Sequence, residues 1–158
     1  MAPGTPATVA AENAGIAFTL HEYARERGAD YGLEAATALG VDAARVFKTL
    51  LVATGEGRHV VAIVPVATTL DLKALAGAAR AKHAEMAQPA DAQRLTGYVL
   101  GGISPLGQKR VLATYVDASA EAHRTMFVSA GKRGLEIELA PADLVRLTDA
   151  TVAPIARW

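Results

Sequence analysis

The sequence predicts an α+β fold in which short helices surround a mixed sheet. Apolar runs of strand length recur at least six times, interleaved with five short helical stretches. Two of these runs flank a glycine turn as a hairpin, whereas others are separated by helical connections. That mixture is too irregular for a doubly wound fold, where strand and helix alternate throughout.

Thr5-Pro6 opens the first helix, with a side-chain cap followed by proline at the first helical position. The helix runs to about Asn13, and Gly15 stops it. Residues 16–23 alternate, with Ile16, Phe18 and Leu20 opposed to Ala17, Thr19 and His21, as in a half-buried strand. Residues 24–32 are charged and glycine-punctuated, a loop, and residues 33–39 form a short helix ended by Gly40. Residues 46–53 and 58–64 are apolar on both faces, as expected of covered central strands, and Thr54-Gly55-Glu56-Gly57 joins them. Asp71 caps a helix through Ala79, residues 82–86 make a brief strand, and Pro89 starts a helix that stops at Gly97. Tyr98 leads into a glycine-rich loop over 101–107. Strands follow at about 110–116 and 125–129, then a basic turn, then a strand over 135–139. A helix over 141–147 and a short segment near Val152 end the pattern. With no repeat, low-complexity tract or linker, residues 1–158 read as one domain.

Composition excludes several function classes. The chain has no cysteine, so disulfides, thiolate-rich metal sites and a cysteine nucleophile are ruled out. The longest apolar run, residues 60–67, is too short for a membrane span, and no basic segment precedes an apolar stretch at the N-terminus. A cytoplasmic protein without a membrane partner is expected. The net charge is zero, yet residues 45–133 carry twelve basic and six acidic side chains. Neutrality argues against a general nucleic-acid coat, although a local basic face can hold a phosphate backbone. Scattered solvated charge is the plainer reading.

Familiar catalytic motifs are absent. The Gly102-Ile103-Ser104 stretch lacks the spacing of a nucleophile elbow, since proline follows the serine and the last glycine is at 107. His21, His59, His83 and His123 stand singly, without metal-ligand spacing. Gly131-Lys132-Arg133 lacks the upstream glycine and following hydroxyl of a P-loop. Neither a metal nor a cofactor is expected.

Three segments call for an explanation. Lys48 sits in an apolar strand, on the face of Val46, Leu50 and Val52, while Thr49 shares the other face with Phe47 and Leu51. It either lines a cavity with an acceptor or snorkels its head to water. The glycines at 101, 102 and 107 expose backbone N–H groups that can face a carbonyl oxygen, or simply make a tight connection. Ser129 to Gly134 joins two strands with cations at its tip, either a phosphate grip or a solvated hairpin end.

Taken together, Val46-Phe47-Lys48-Thr49-Leu50, the run from Gly97 to Lys109 and the run from Ser129 to Leu139 resemble the YbaK/EbsC family. Leu70-Asp71-Leu72-Lys73 and Thr5-Pro6-Ala7 fit as well, and the similarity extends from Thr5 to about Arg157. Within the family the chain is most similar to stand-alone YbaK proteins, which clear cysteine wrongly attached to proline tRNA. The resemblance implies a barrel-like mixed sheet of about six to seven strands. It implies Lys48, Gly101 and Gly102 as catalytic positions, and Tyr23, Thr49, Ser129 and Glu136 as substrate-binding ones. Glu136 stands where close relatives usually carry aspartate. Lys109, Arg110, Lys132 and Arg133 become candidates for the tRNA backbone. Aminoacylated proline tRNA is the implied partner, with prolyl-tRNA synthetase a further one. The implied reaction needs no protein nucleophile, because the substrate's own thiol attacks its activated ester. Alanine on proline tRNA is the nearest alternative substrate, and a non-catalytic module binding tRNA or a synthetase is the alternative of another class.

Overall fold

The computed structural model describes residues 4–24, 31–55 and 57–158. The expected loop at 24–32 and the turn residue Glu56 therefore fall wholly or largely outside the described residues.

Helix α1 (Pro6–Ala14) is capped by Thr5, whose hydroxyl accepts from the Thr8 N–H at 3.1 Å, and it ends at Gly15 in the left-handed region. The Thr5 hydroxyl also donates to the Ala130 carbonyl at 2.6 Å, tying the helix to the sheet below. Strand β1 (Phe18–Glu22) is followed by α2 (Tyr31–Leu39), which starts two residues earlier than expected. The long hairpin β2 (Phe47–Gly55) and β3 (Arg58–Pro65) carries the centre of the fold. After β4 (Thr69–Leu70) come α3 (Leu72–Ala78), β5 (Glu85–Met86) and α4 (Pro89–Thr96). Then follow β6 (Thr114–Asp117), a 3-10 helix (Ala118–Ala122), β7 (Met126–Lys132) and β8 (Leu135–Leu139). Helix α5 (Pro141–Thr148), β9 (Thr151–Ala153) and β10 (Ala156–Arg157) complete the order.

The α+β class and the mixed sheet hold. Among the described residues three sheets form, ordered β5-β2-β3-β6-β9, β1-β8-β7 and β10-β4. The β3–β6 and β6–β9 pairs are parallel and the other strand pairs antiparallel. A parallel bridge from Val46 to Phe127 links the two larger sheets, but the described strands do not close into a barrel. The strand expected from residue 110 begins only at Thr114, where pairing with Val61 of β3 starts; Val111 is fully exposed.

The main core lies where the two larger sheets face each other and includes Phe47, Leu51, Ile63, Met126, Leu135 and Ile137. The opposite face of β2–β3 buries Val52, Val64, Leu75 and Ile155. Apolar side chains on both faces make this hairpin stiff, and its strands hold position by burial rather than by one amphipathic face. Buried Asp117 fixes the C-terminal segment: one carboxylate oxygen accepts the N–H groups of Ile155 and Ala156, each at 2.9 Å.

Candidate active site

A cavity of about 350 Å³ opens beside β2. Its position follows from sheet register. Strand β5 covers only Val52 and Ala53 of β2, and β7 meets the chain at Val46. Between them the edge of β2 is left without a strand neighbour, and residues 46–51 all line the hollow. Hydrogen bonding in an antiparallel pair alternates residue by residue. The Val46 carbonyl accepts from Val66, so even-numbered residues of β2 bond toward β3. Odd-numbered ones bond outward: the Arg45 carbonyl accepts from Phe127 and the Leu51 carbonyl from Ala87, at 2.9 and 3.0 Å. The backbone groups of Phe47 and Thr49, between these two, therefore face the cavity.

Six of the residues expected at the site converge here: Tyr23, Lys48, Thr49, Gly101, Ser129 and Glu136 all line the hollow. The Lys48 Nζ donates to the Thr68 carbonyl at 2.8 Å, so the strand lysine meets an acceptor instead of reaching for bulk water. Thr49 is 9 % exposed, and its hydroxyl has no hydrogen-bond partner among the described residues. Ser129 and Glu136 are paired across the antiparallel β7–β8 ladder. The Ser129 hydroxyl accepts from the Gly131 N–H at 3.2 Å, which shapes the turn after it.

Glu136 is 5 % exposed, and burial alone pushes its carboxyl up to about 8. At neutral pH it is mostly the uncharged acid, able to donate as well as accept a hydrogen bond. Burial likewise raises the Tyr23 phenol, against the opposing pull of its bond with the Gly134 backbone. Glu138, two residues along β8, behaves in the opposite way. Its carboxylate takes hydrogen bonds from Thr125 and His21, which hold it below the usual range.

Gly102 and Arg133 are placed differently from expectation. The Gly102 N–H donates to the Val99 carbonyl at 3.0 Å, so it is not aimed at the cavity. A side chain there would bring its Cβ to 2.7 Å from the Lys132 Cα, so glycine is required for the 101–107 loop to lie against the basic turn. Gly101, with φ of 89°, remains at the cavity wall. The Arg133 guanidinium grips the buried carboxylate of Glu34 through two bonds, at 2.9 and 2.7 Å, a side-chain pairing 99 residues apart in sequence. Lys132 is exposed and lines a second groove with Tyr23, Val99 and Leu100. Lys109 and Arg110 are exposed and line neither hollow; their N–H groups extend the end of α4 by bonding Thr96 and Leu95.

The apolar wall was not read from the sequence. Met86, Ala87, Pro89 and Ala92, from β5, α4 and the link between them, close one side of the cavity, and Val66 and Ala35 another. With an apolar lining and few convergent polar groups, the hollow has the character of a small-ligand site. Among the described residues no histidine lines it, so none of them sets an imidazole base beside a hydroxyl nucleophile.

Comparison with known proteins agrees with this geometry. Residues 27–147 match the family model described as the aminoacyl-tRNA editing domain. A protein of Enterococcus faecalis (strain ATCC 700802 / V583), named "Putative Cys-tRNA(Pro)/Cys-tRNA(Cys) deacylase EbsC", is 42 % identical over 120 residues, covering 76 % of this chain and 73 % of that one. Solved structures share the fold, two of them over nearly the whole chain of each. One, described as "a putative trans-editing enzyme for prolyl tRNA synthetase", superposes with a TM-score of 0.86 at 24 % identity over 99 % of this chain and 100 % of the other. The second, hypothetical protein APE2540, gives 0.86 at 23 % identity over 97 % and 100 %. The matched segment carries Lys48, Thr49, Gly101, Ser129 and Glu136 around one hollow, and the chain belongs to the aminoacyl-tRNA editing domain family, in its YbaK/EbsC group.

Proposed function

We propose that this protein is a cytoplasmic, single-domain aminoacyl-tRNA deacylase acting in trans on mischarged tRNA, with Cys-tRNA(Pro) as its substrate and Cys-tRNA(Cys) as a second. The observation that carries the reading is a cavity holding an ammonium, a buried carboxyl and a hydroxyl without a partner among the described residues, which form no nucleophile–base pair there. Such a site suits an ester that is already activated. The family assignment and the name of the Enterococcus relative support the same class of reaction.

The substrate's own thiol supplies the attacking atom. Its sulfur bonds to the ester carbonyl carbon while the bond from that carbon to the ribose oxygen breaks. The thiol proton passes to the departing ribose oxygen. The products are free tRNA and a four-membered cyclic thioester, which water then opens to cysteine. The protein contributes position and charge, terms large enough to dominate a rate.

Lys48 orders the ester and neutralises charge on the carbonyl oxygen or the terminal phosphate. Gly101 and the outward backbone groups of Phe47 and Thr49 offer donors at the cavity wall; Gly102 serves by holding that wall in place. Tyr23, Ser129 and Glu136 hold the terminal ribose and the amino group. Lys109, Arg110 and Lys132 lie on the surface available to the tRNA backbone, and prolyl-tRNA synthetase is a natural partner for such an activity.

A panel of tRNA(Pro) esters tests the reading. The cysteinyl ester is expected to be cleaved fastest, with the seryl, alanyl and prolyl esters near the spontaneous rate. Undiminished cleavage of the seryl ester removes the thiol from the mechanism. Faster cleavage of the alanyl ester makes the protein an alanine editor. Tight tRNA binding without ester loss makes it a binding module.

A further inference from the structure

Another hollow, distinct from the groove beside Lys132, lies at the other end of the strands that build the cavity. Lys48 to Leu51 and Met86 line the cavity, whereas Thr54, Gly55, Lys82 and His83 line a groove of about 740 Å³. At about 3.3 Å per strand residue, Leu51 and Thr54 stand about 10 Å apart, and Gly55 about 23 Å from Lys48. The groove is cationic. Arg58, Arg80 and Lys82 are exposed on its walls, joined by His59 and His83, and no described acid lines it. Among the described residues these three cations enter no ion pair; Glu56 lies outside those residues. His59 approaches Asp91 of α4 at 3.9 Å, and the same helix supplies Pro89 and Ala92 to the cavity.

Arg80 carries a second signal. It follows the Ala79 cap of α3 with φ of 57°, the left-handed position where helices usually place glycine. An arginine there costs stability that glycine would not. Its side chain stands exposed on the groove wall, at a position where the backbone favours having none.

We propose that this groove binds the sugar–phosphate backbone of the tRNA whose aminoacylated end occupies the cavity, through Arg58, Arg80 and Lys82. The inference rests on the deacylase reading and extends it. A few unpaired nucleotides span the distance from cavity to groove, so the groove meets the paired stem beyond them. Recognition there is through backbone charge and helix shape, without base reading.

The test measures binding of uncharged tRNA(Pro) across a salt series, alongside deacylation of Cys-tRNA(Pro). R58A/R80A/K82A is expected to weaken binding at least tenfold and to flatten the plot of log K against log salt by about 2–3, one per phosphate contact. R80G is expected to raise Tm while weakening binding, a split that a purely structural arginine would not give. K73A/R146A, which removes two cations elsewhere, is expected to change neither. Unchanged affinity and salt slope in the triple variant overturn the proposal, as does loss confined to K109A/R110A/K132A. If ester cleavage continues with an unaltered KM in the triple variant, the groove fails and the deacylase reading stands. If tRNA binding depends on the groove but no ester is cleaved by the wild type, the groove stands and that reading fails.

Discussion

The Nζ of Lys48 lies 2.8 Å from the carbonyl oxygen of Thr68, a residue just beyond the far end of the partner strand. A lysine in a doubly covered strand is thus held by one backbone acceptor, with its stem along the cavity wall. Thr68 is fixed in turn, because its hydroxyl donates to the Pro65 carbonyl at 2.8 Å. The cation is held in place by the fold itself.

Replacing Lys48 by methionine keeps the stem and removes the charge. Cleavage of Cys-tRNA(Pro) should fall by about 10² or more in kcat/KM, the usual loss when one preorganised electrostatic contact is deleted. Tm should move by no more than about 3 °C. Wild-type rates in Lys48→Met remove the ammonium from the mechanism.

Glu136 makes stability depend on pH in a defined direction. Below about 4.5 the carboxyl is protonated in both folded and unfolded chains. Between 4.5 and about 8 the unfolded chain releases the proton while the folded chain keeps it, so stability falls as pH rises. Above 8 both forms are ionised and the loss levels off. Glu136→Gln should abolish this component of a denaturation series taken from pH 4 to 9. It should also remove a decline in activity near pH 8. An unchanged pH dependence in the variant contradicts the assignment.

Thr49→Val removes a buried hydroxyl that has no partner among the described residues. Deleting such a group is neutral or stabilising, by up to about 1 kcal/mol. Tm should stay level or rise, while kcat/KM falls roughly tenfold if the hydroxyl holds the substrate. A fall in Tm would show that the hydroxyl is bonded within the protein.

Two glycines give opposite expectations. Gly102→Ala drives a methyl group into the Lys132 and Arg133 backbone, which has little room to yield. It should cost about 1–3 kcal/mol and lower activity, because the loop carrying Gly101 shifts with it. Gly77→Ala, in α3 with nothing within 4 Å of the new Cβ, should stabilise by about 0.5–1 kcal/mol. Thermal melts of the two variants decide both.

Local chemistry was legible in the sequence wherever it is self-contained. Thr5, Asp71, Pro89 and Gly97 mark helix ends where the structure has them, because a cap acts within three or four residues. The β2–β3 hairpin was equally plain. What stayed hidden depends on distant partners. Strand β4 exists only because Thr69 and Leu70 meet Arg157 and Ala156. Arg133 stood as a candidate for the tRNA backbone because nothing near it in sequence announces Glu34. Six residues of the cavity could be assembled from the family resemblance, but not its apolar wall, nor the reason Lys48 and its neighbour Thr49 share one hollow. That reason is the short reach of β5, which leaves the β2 edge uncovered. The basic groove is likewise gathered from three separated segments, none of them conspicuous alone.

The uncovered edge of β2 has a consequence for the behaviour of the molecule among its own copies. Open strand edges invite pairing between chains and seed aggregates. Here the exposed stretch is recessed, walled by α4 on one side and by the glycine loop on another. A flat strand from a neighbouring chain cannot lie against it, whereas a compact group matches a hollow of about 350 Å³. Donors and acceptors that would be hazardous on an open rim are thereby kept ready for a small guest.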